Sequence, residues 1–444
     1  MKKESNISGQ LKDFESSEVF QLLLNFFRAT PVNSCLVAYS GGLDSHVLLH
    51  ALATLQQHSV DRPSIRAIHI DHGLQLVSGA WSMHCEAVCV ELNIEFEAIS
   101  LDLQVPAGSS VEAVARHARY AVFEQHLRPD EVLLTAHHQN DQAETLLLNL
   151  LRGSGPEGLA AMPVSRPFAN TQLLRPLLDV SRAQLTAYAV EHQLKWIDDP
   201  SNESLAFDRN YLRHEVLPKF RERWVATDKL LARAAQWQSE AVELQNDLLA
   251  DRLQHVQGTQ AGTVSVSALL EGSVVLRKAL LRQWIKGAGF SSPSVKKLQH
   301  ILSDVLPAKP DAQPCVAWAG CEVRRYRDDL YVLEPLSAHD SQQSLYWEAP
   351  YDDYWIESLG LVLEKSSLEA LLPQLIDSDE PLEIRFRQGG EKVLLRGIHV
   401  SLKQLLQDKA VPPWRRDRLP LVYTGQQLIM IPGLFVLSTG DLLM

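Results

Sequence analysis

Leu36-Val-Ala-Tyr-Ser-Gly-Gly-Leu-Asp-Ser-His-Val-Leu-Leu-His50 reads as a strand, a tight loop and a helix. Cys35 to Tyr39 is a short apolar run of strand type, and Ser40-Gly-Gly42 breaks it. From Asp44 the apolar residues Val47, Leu48, Leu52 and Leu55 recur at helical spacing. A Gly-Gly bend at that junction aims free backbone N–H groups, and the positive end of the helix dipole, at one point. Glycine lets a phosphate approach the backbone with no Cβ in the way. Ser40, Gly41, Gly42, Leu43, Asp44 and Ser45 are therefore a candidate phosphate loop, with two hydroxyls as extra donors. Asp44 is odd there, since a carboxylate repels phosphate; it makes sense if it holds a divalent cation such as Mg²⁺ bound to the phosphates. The plain alternative is a capped strand–helix turn in which Asp44 only stabilises the helix start. The whole string Ser-Gly-Gly-Leu-Asp-Ser after a buried strand favours the phosphate site. The Walker pattern, with a Lys after its last Gly, is absent.

The chain after the loop alternates apolar runs with amphipathic segments. Strands are expected at Ile65–Ile70, Ile94–Leu101 and Glu131–Ala136, and helices at Ala80–Leu92, Ser110–Leu127 and Gln139–Leu151. A helix over Ser17–Thr30 precedes the loop. That alternation specifies an α/β fold with a doubly wound parallel sheet, whose ligands sit at the carboxyl ends of its strands.

The suggestive residues fall at those ends. His69-Ile-Asp-His-Gly-Leu74 closes one strand; one strand end rarely supplies a full metal-ligand set, so a role in shaping the nucleotide pocket is favoured over ligation. Arg116 and Arg119 lie three apart on one helical face, which on its own suits a solvated basic surface. Thr135-Ala-His-His-Gln-Asn-Asp-Gln-Ala-Glu-Thr145 is the second strong block. Asp141 and Glu144 there are one helical turn apart at a helix start. They could hold Mg²⁺, position an amine, accept its proton, or merely cap the helix. The adjacent His137-His138 favours a functional reading. Arg152-Gly-Ser-Gly155 fits a helix end plus loop. Phe207 to Leu217 reads as a helix that ends before Pro218.

Bulk properties bound the rest. At 444 residues the chain needs two or three cores, and its composition is that of an ordinary globular protein. A net charge of -12 argues against indiscriminate nucleic-acid binding but leaves room for a local basic face. The first residues, Met1-Lys-Lys-Glu-Ser-Asn, do not lead into an apolar run, and no window approaches a membrane span, so a cytosolic setting is expected. Cys35, Cys85, Cys89, Cys315 and Cys321 are scattered, which suits reduced thiols; Cys85 and Cys89 read as packed core residues. No Cys-x-x-Cys occurs.

Residues 222–260 read as a long helical stretch, with Leu230, Leu231, Ala234, Trp237, Ala241, Leu244 and Leu248 as its core face. Ala268–Gly287 and Pro293–Val305 look helical, and Ala317–Leu333 looks like two strands. Residues 340–380 carry ten acidic side chains against one basic, which reads as a solvent-facing boundary. From Glu383 to Arg418 the balance reverses to nine Lys/Arg against four acids. A basic block on an acidic protein suits phosphate-backbone contacts, with Arg415 and Arg416 as candidates. Trp414 could stack on a base or be core beside Pro413. The expected division is 1–221, 222–340, 341–380 and 381–444: a nucleotide-binding domain, a mainly helical middle domain, an acidic boundary, and a small mixed α/β C-terminal domain.

The loop resembles the pyrophosphate-binding loop of the N-type ATP pyrophosphatases, which implies ATP split to AMP and pyrophosphate. The loop, His69–Leu74, Arg116–Tyr120, His138–Thr145, Arg152–Gly155, Asp198–Asn202 and Arg209-Asn-Tyr-Leu-Arg213 occur in the order found in tRNA(Ile)-lysidine synthases, across roughly the first half of the chain. The basic block resembles the C-terminal domain of the longer members. The resemblance implies that ATP activates C2 of the wobble cytidine of a CAU-anticodon tRNA(Ile), and that the ε-amine of L-lysine displaces AMP. It implies functional roles for Asp44 (with Mg²⁺), Arg116, Arg119, Asp141 and Glu144. Arg116 or Arg119 would stabilise the departing pyrophosphate, and Asp141 and Glu144 would hold lysine or metal. His138, Arg209 and Arg213 are further candidates for contact with tRNA. The rival readings are a tRNA thiolase, against which the missing Cys-x-x-Cys weighs, and a non-catalytic tRNA-binding protein. A homodimer is a candidate assembly.

Overall fold

The computed structural model describes residues 17–58, 63–71, 78–101, 103, 106, 111–309, 312–348, 351–368, 381–395 and 398–436. The chain divides into two compact units, Met1–Gln245 and Asn246–Met444.

The first unit is built on a six-stranded sheet of order β3-β2-β1-β4-β6-β5. Its strands are β1 (Ser34–Ala38), β2 (Ser64–Asp71), β3 (Glu95–Ser100), β4 (Glu131–Leu134), β5 (Ser165–Phe168) and β6 (Thr171–Leu174). All neighbours are parallel except the β5–β6 hairpin at the edge. The helices are α1 (Glu18–Ala29), α2 (Leu43–His58), α3 (Ser78–Glu91), α4 (Val111–His126), α5 (Gln139–Leu151), α6 (Pro156–Leu159) and α7 (Arg182–Glu191). The sheet is covered on both faces. One core joins Leu48, Leu52, Cys35, Val37, Cys89 and Tyr188; the other joins Leu36, Ile68, Leu133, Phe123 and Leu173. Successive β1 residues thus feed opposite cores, as the period of two in a strand requires. The expected doubly wound α/β sheet is present. The chain reverses its winding between β1 and β4, so the crevice lies at their carboxyl ends.

Past α7 the chain makes α8 (Asp208–Tyr211), a π-helical turn over Leu212–Val216, and α9 (Leu217–Arg223). The expected helix end before Pro218 is therefore wrong. Pro218 occupies the first turn of α9, where its missing N–H costs nothing, and the wider π turn absorbs the break. The long helix α10 (Thr227–His255) follows. Its supposed core stripe is largely outside: Trp237 is 59% exposed, Leu244 61% and Leu248 63%, while Ala235 is buried. Helical periodicity reports that apolar residues share a face, not that a neighbour covers it.

The second unit holds two cores. Leu281, Ile285, Ile301, Val323 and Leu330 centre the first, which α11 (Val266–Glu271), α12 (Val274–Gly287) and α13 (Val295–His300) share with the sheet β7-β10-β9-β8. That sheet comprises β7 (Val264–Ser265), β8 (Cys315–Trp318), β9 (Cys321–Tyr326) and β10 (Asp329–Leu333), so three strands occupy the stretch expected to hold two. The tight turn at Ala319–Gly320, with Gly320 at φ +70°, adds the extra hairpin. The second core includes Trp347, Tyr351, Ile356, Leu363 and Leu368 together with Ile384, Leu406, Val422 and Met430. The acidic stretch is thus not a solvent-facing boundary over its described part, because its apolar residues complete the C-terminal core.

Candidate active site

The loop after β1 and the segment after β4 meet because β1 and β4 are paired neighbours, Ser34 opposite Glu131 through Val37 opposite Leu134. In the loop Gly41 sits at φ +81°, a conformation L side chains avoid. A Cβ there would come within 2.8 Å of Cys85 Sγ and 3.0 Å of Ile197 Cδ1. The Ile197 N–H donates to the Gly41 carbonyl at 2.9 Å, so the Trp196–Asn202 segment backs the loop. Ser45 Oγ donates to the Gly42 carbonyl at 3.0 Å and accepts from the Ser40 N–H at 3.2 Å, which holds the bend shut from within. The first N–H groups of α2 have no partner in their own helix and face the crevice.

Behind the loop, the buried His69 places Nδ1 3.0 Å from the Tyr39 carbonyl and 3.5 Å from Cys85 Sγ. Burial holds its pKa below the ordinary value. His69 therefore braces the loop. His72, Gly73 and Leu74, grouped with it in the sequence, lie outside the described residues. Cys85 and Cys89 are core, and burial pushes both thiols up to about 12.

His138 begins α5. The Asn140 N–H donates to its Nδ1 at 3.2 Å, and its own N–H donates to Asp141 Oδ2 at 3.0 Å. This reciprocal cap fixes the first turn. Since Nδ1 accepts, the neutral ring carries its proton on Nε2, which lies 3.5 Å from both Asp44 Oδ2 and Asp141 Oδ2. Burial disfavours the charged ring, but the two carboxylates outweigh it and raise the pKa. His138 is thus a buried bridge between the two loops.

Asp44 also meets Arg182, the first residue of α7, with Nη1 to Oδ2 at 3.1 Å. The Arg182 N–H donates to Asn140 Oδ1 at 2.9 Å, so the starts of α2, α5 and α7 converge. Asp44 Oδ1 is buried with no hydrogen-bond partner. That orphaned oxygen suits a cation. Among the described residues no three His, Cys, Asp or Glu side chains form a ready metal cage. A bound Mg²⁺ would thus draw most of its ligands from phosphate and water, as that ion prefers.

Glu144 is fully buried and receives Arg213 in a bidentate grip, Nε to Oε1 at 2.7 Å and Nη2 to Oε2 at 2.9 Å. Arg213 Nη2 also reaches Asp141 Oδ1 at 3.3 Å, and Arg209 Nε lies 3.1 Å from Glu144 Oε2. Burial alone would raise the pKa of Asp141; His138, His137 and Arg209 lower it instead. The sequence reading gave Arg209 and Arg213 to tRNA. In the structure they pair with Asp141 and Glu144, because buried carboxylates demand counterions.

Arg116 and Arg119 project from α4 around Tyr120, their guanidinium carbons 5.3 Å and 5.9 Å from its ring centre. His137 is held at about 3, first by burial and further by Arg175, Arg209 and Arg116, so the basic face borders the crevice. A shallow hollow lined by Gln57, Ser64 and Asn93 lies at the opposite, amino end of the strands and carries no ionisable group. In the basic C-terminal block, Arg416 donates to the Val411 carbonyl and to Tyr326 Oη, each at 2.9 Å. Arg387 is tied to Asp417 at 3.0 Å. Arg415, Lys392, Lys403 and Lys409 are exposed.

Sequence reasoning missed Arg182 and Ile197, whose partners are far away in the chain. The only local sign of Arg182's position is the Ser181-x-x-Gln184 capping box that precedes α7.

Three family models match the chain: a PP-loop domain over residues 15–220, a TilS substrate binding domain over 265–331, and a TilS substrate C-terminal domain over 382–441. The tRNA(Ile)-lysidine synthase of Coxiella burnetii is 40% identical over 416 residues, covering 93% of this chain and 91% of that protein. The tRNA(Ile)-lysidine synthase of Yersinia pseudotuberculosis serotype I is 41% identical over 421 residues, covering 91% of this chain and 90% of its own. The chain belongs to the tRNA(Ile)-lysidine synthase family. Among solved structures, the U34-tRNA thiolase NcsA from Methanococcus maripaludis matches with a TM-score of 0.43 and 17% identity, over 51% of this chain and 79% of that one. The lysidine synthases match nearly end to end, including both domains specific to them, which favours that family over the thiolase alternative. No helix among the described residues is long and apolar enough to cross a membrane.

Proposed function

We propose that this chain is a carbon–nitrogen ligase that joins L-lysine to C2 of the wobble cytidine in a CAU-anticodon tRNA(Ile), consuming ATP. The observation that carries the reading is the convergence of Asp44, His138 and Asp141 at the β1/β4 crevice. Chemistry that must bring a nucleotide phosphate and an amine to one carbon needs an electropositive loop and paired carboxylates side by side.

In the first step the cytidine O2 attacks the α-phosphorus of ATP. The bond to the β-phosphate breaks and pyrophosphate leaves. The helix N-terminus after Gly42 and the Ser40 hydroxyl hold the phosphate oxygens. Arg116 or Arg119 stabilises the charge that gathers on the leaving group. Asp44 would hold Mg²⁺, which when bound withdraws charge from those oxygens. In the second step the ε-amine of lysine adds at C2, and AMP departs with the original O2. Asp141 and Glu144 orient the amine and take up its proton. Arg209 and Arg213 pair with the two carboxylates until it arrives. The modules at 222–340 and 381–444 bind tRNA, Arg415 among the contacts, in a cytoplasmic enzyme.

Nucleoside analysis of tRNA treated with the protein, ATP and Mg²⁺, with lysine in one reaction and a sulfide donor in another, tests the reading. A lysine-bearing cytidine supports it. Sulfur in the product would return the thiolase alternative, and unmodified tRNA would return the non-catalytic one.

A further inference from the structure

Four arginines gather at the far side of the sheet's carboxyl end. Arg116 and Arg119 come from α4, Arg166 from β5, and Arg175 from the residue just after β6. The Arg166 guanidinium carbon stands 5.3 Å from the Tyr120 ring centre and 5.6 Å from that of Phe168. The two rings meet edge to face at 5.7 Å. Arg175 is only 3% exposed. One of its nitrogens, Nη1, donates to the Pro163 carbonyl at 2.6 Å, but its buried Nε has no hydrogen-bond partner. Among the described residues no carboxylate is ion-paired with Arg116, Arg166 or Arg175.

A buried guanidinium with an unused N–H, in a group of like charges, is costly unless an anion completes it. The cost is visible in Arg175 itself, lowered to about 10 by burial and by Arg166 and Arg116 even though its hydrogen bond with Tyr120 acts the other way. The contrast with Arg209 and Arg213, which sit on carboxylates, is direct. Those two are neutralised from within the chain, whereas among the described residues Arg166 and Arg175 meet no carboxylate.

We propose that Arg166 and Arg175, assembled on Tyr120, seat a backbone phosphate of the RNA substrate beside the nucleotide being modified. The ligand chemistry is a phosphate oxyanion, and two sources exist: RNA and the triphosphate of ATP. Position favours RNA. In the order β1-β4-β6, the end of β6 stands two strand spacings, roughly 10 Å, from the end of β1, where the phosphate loop begins. The Tyr120 and Phe168 rings wall the seat with apolar surface, which suits a phosphate that carries a sugar and base. Guanidinium forks match phosphate oxygens better than ammonium groups do. The proposal rests on the reading of the chain as a tRNA-modifying enzyme.

The test uses the full chain and the half-buried Arg166, since replacing buried Arg175 risks the fold. CAU-anticodon tRNA affinity is measured across a salt series for the native protein, Arg166→Gln and Arg166→Lys, with ATP affinity measured on each without RNA. The expected result for Arg166→Gln is weaker tRNA binding and a log–log salt slope shallower by roughly 0.7 to 0.9, the contribution of one phosphate. Arg166→Lys restores most of the slope, and ATP affinity holds. Unchanged tRNA affinity and slope in Arg166→Gln overturn the proposal. Loss of ATP affinity with an intact tRNA slope overturns it too and gives the seat to the triphosphate. A native protein that binds this tRNA with the Arg166-dependent slope but never transfers lysine would sink the proposed reaction and leave the seat standing. Absence of any tRNA binding would sink both.

Discussion

Arg213 and Glu144, 69 residues apart in sequence, form a bidentate ion pair with Nε 2.7 Å from Oε1. The pair fixes α5 against the π-helical turn that carries Arg213. It also gives a carboxylate with almost no solvent exposure its counterion in the crevice. Burial would discourage the charged guanidinium, yet Glu144, Asp141 and Asp44 raise the pKa of Arg213.

Glu144→Gln leaves Arg213 without its main counterion. Lysine transfer should fall by about 100-fold or more if Glu144 takes the amine's proton. Adenylated tRNA should accumulate, because the first step does not use this carboxylate. Urea unfolding should show a loss of about 3 kcal/mol from the broken buried pair. Native-like lysine transfer would reduce Glu144 to a structural partner of Arg213.

Asp44→Asn should stop adenylation while leaving the fold intact. The carboxylate stands where phosphates are expected, and its Oδ1 has no partner in the protein. Pyrophosphate release should fall by about 100-fold or more, as for loss of one group that stabilises developing charge. A mutant that releases pyrophosphate at the native rate rules out this role.

Trp414 is a joint rather than a base-stacking platform. Its ring lies 5.3 Å from Tyr331 and 6.4 Å from Tyr326, with the Arg324 guanidinium carbon 5.4 Å from its centre. Trp414→Ala should cost about 3 to 5 kcal/mol of stability. Trp414→Phe should leave tRNA affinity unchanged, whereas Arg415→Ala, at an exposed position, should flatten the salt dependence. Weaker tRNA binding by a stably folded Trp414→Phe would reinstate stacking. Truncation before Leu382 is a poor test of the basic block, because it would strip Ile384, Val422 and Met430 from the core they share with Trp347.

Acid should destabilise the first unit earlier than carboxylate protonation alone would. Burial, aided by neighbouring imidazoles, holds His46 and His50 at about 4, against an ordinary 6.5. Their rings must stay neutral in the folded state, while the unfolded chain takes up protons near the ordinary value. Stability is therefore complete above about 6.5 and is lost as pH falls toward 4. Denaturation midpoints at pH 7.5 and pH 5 measure this. A His50→Gln variant should show a smaller drop. Equal midpoints at the two pH values would contradict the assignment.

The sequence carried what is local. The strand–loop–helix of residues 36–50, the helix start at Gln139 and the turn spacing of Asp141 and Glu144 each depend on residues within one or two turns of each other. What it could not carry is pairing over distance. Nothing near Arg209 or Arg213 in the chain says that each will reach a carboxylate more than 60 residues away. The apolar stripe on α10 has the same period whether covered or bare. Charge counting over 340–380 hid Trp347, Ile356 and Leu363, because a few buried apolar residues outweigh many solvated acids in deciding where a segment packs.

The central claim is that this site joins lysine to a tRNA at the expense of ATP. The most direct measurement supplies the protein with labelled lysine, Mg²⁺ and bulk tRNA, with and without ATP, and asks where the label is fixed. The account expects ATP-dependent label in CAU-anticodon tRNA at the wobble cytidine, and none in the Asp44→Asn or Glu144→Gln variants. Label that never enters tRNA, or enters it equally without ATP, would contradict it.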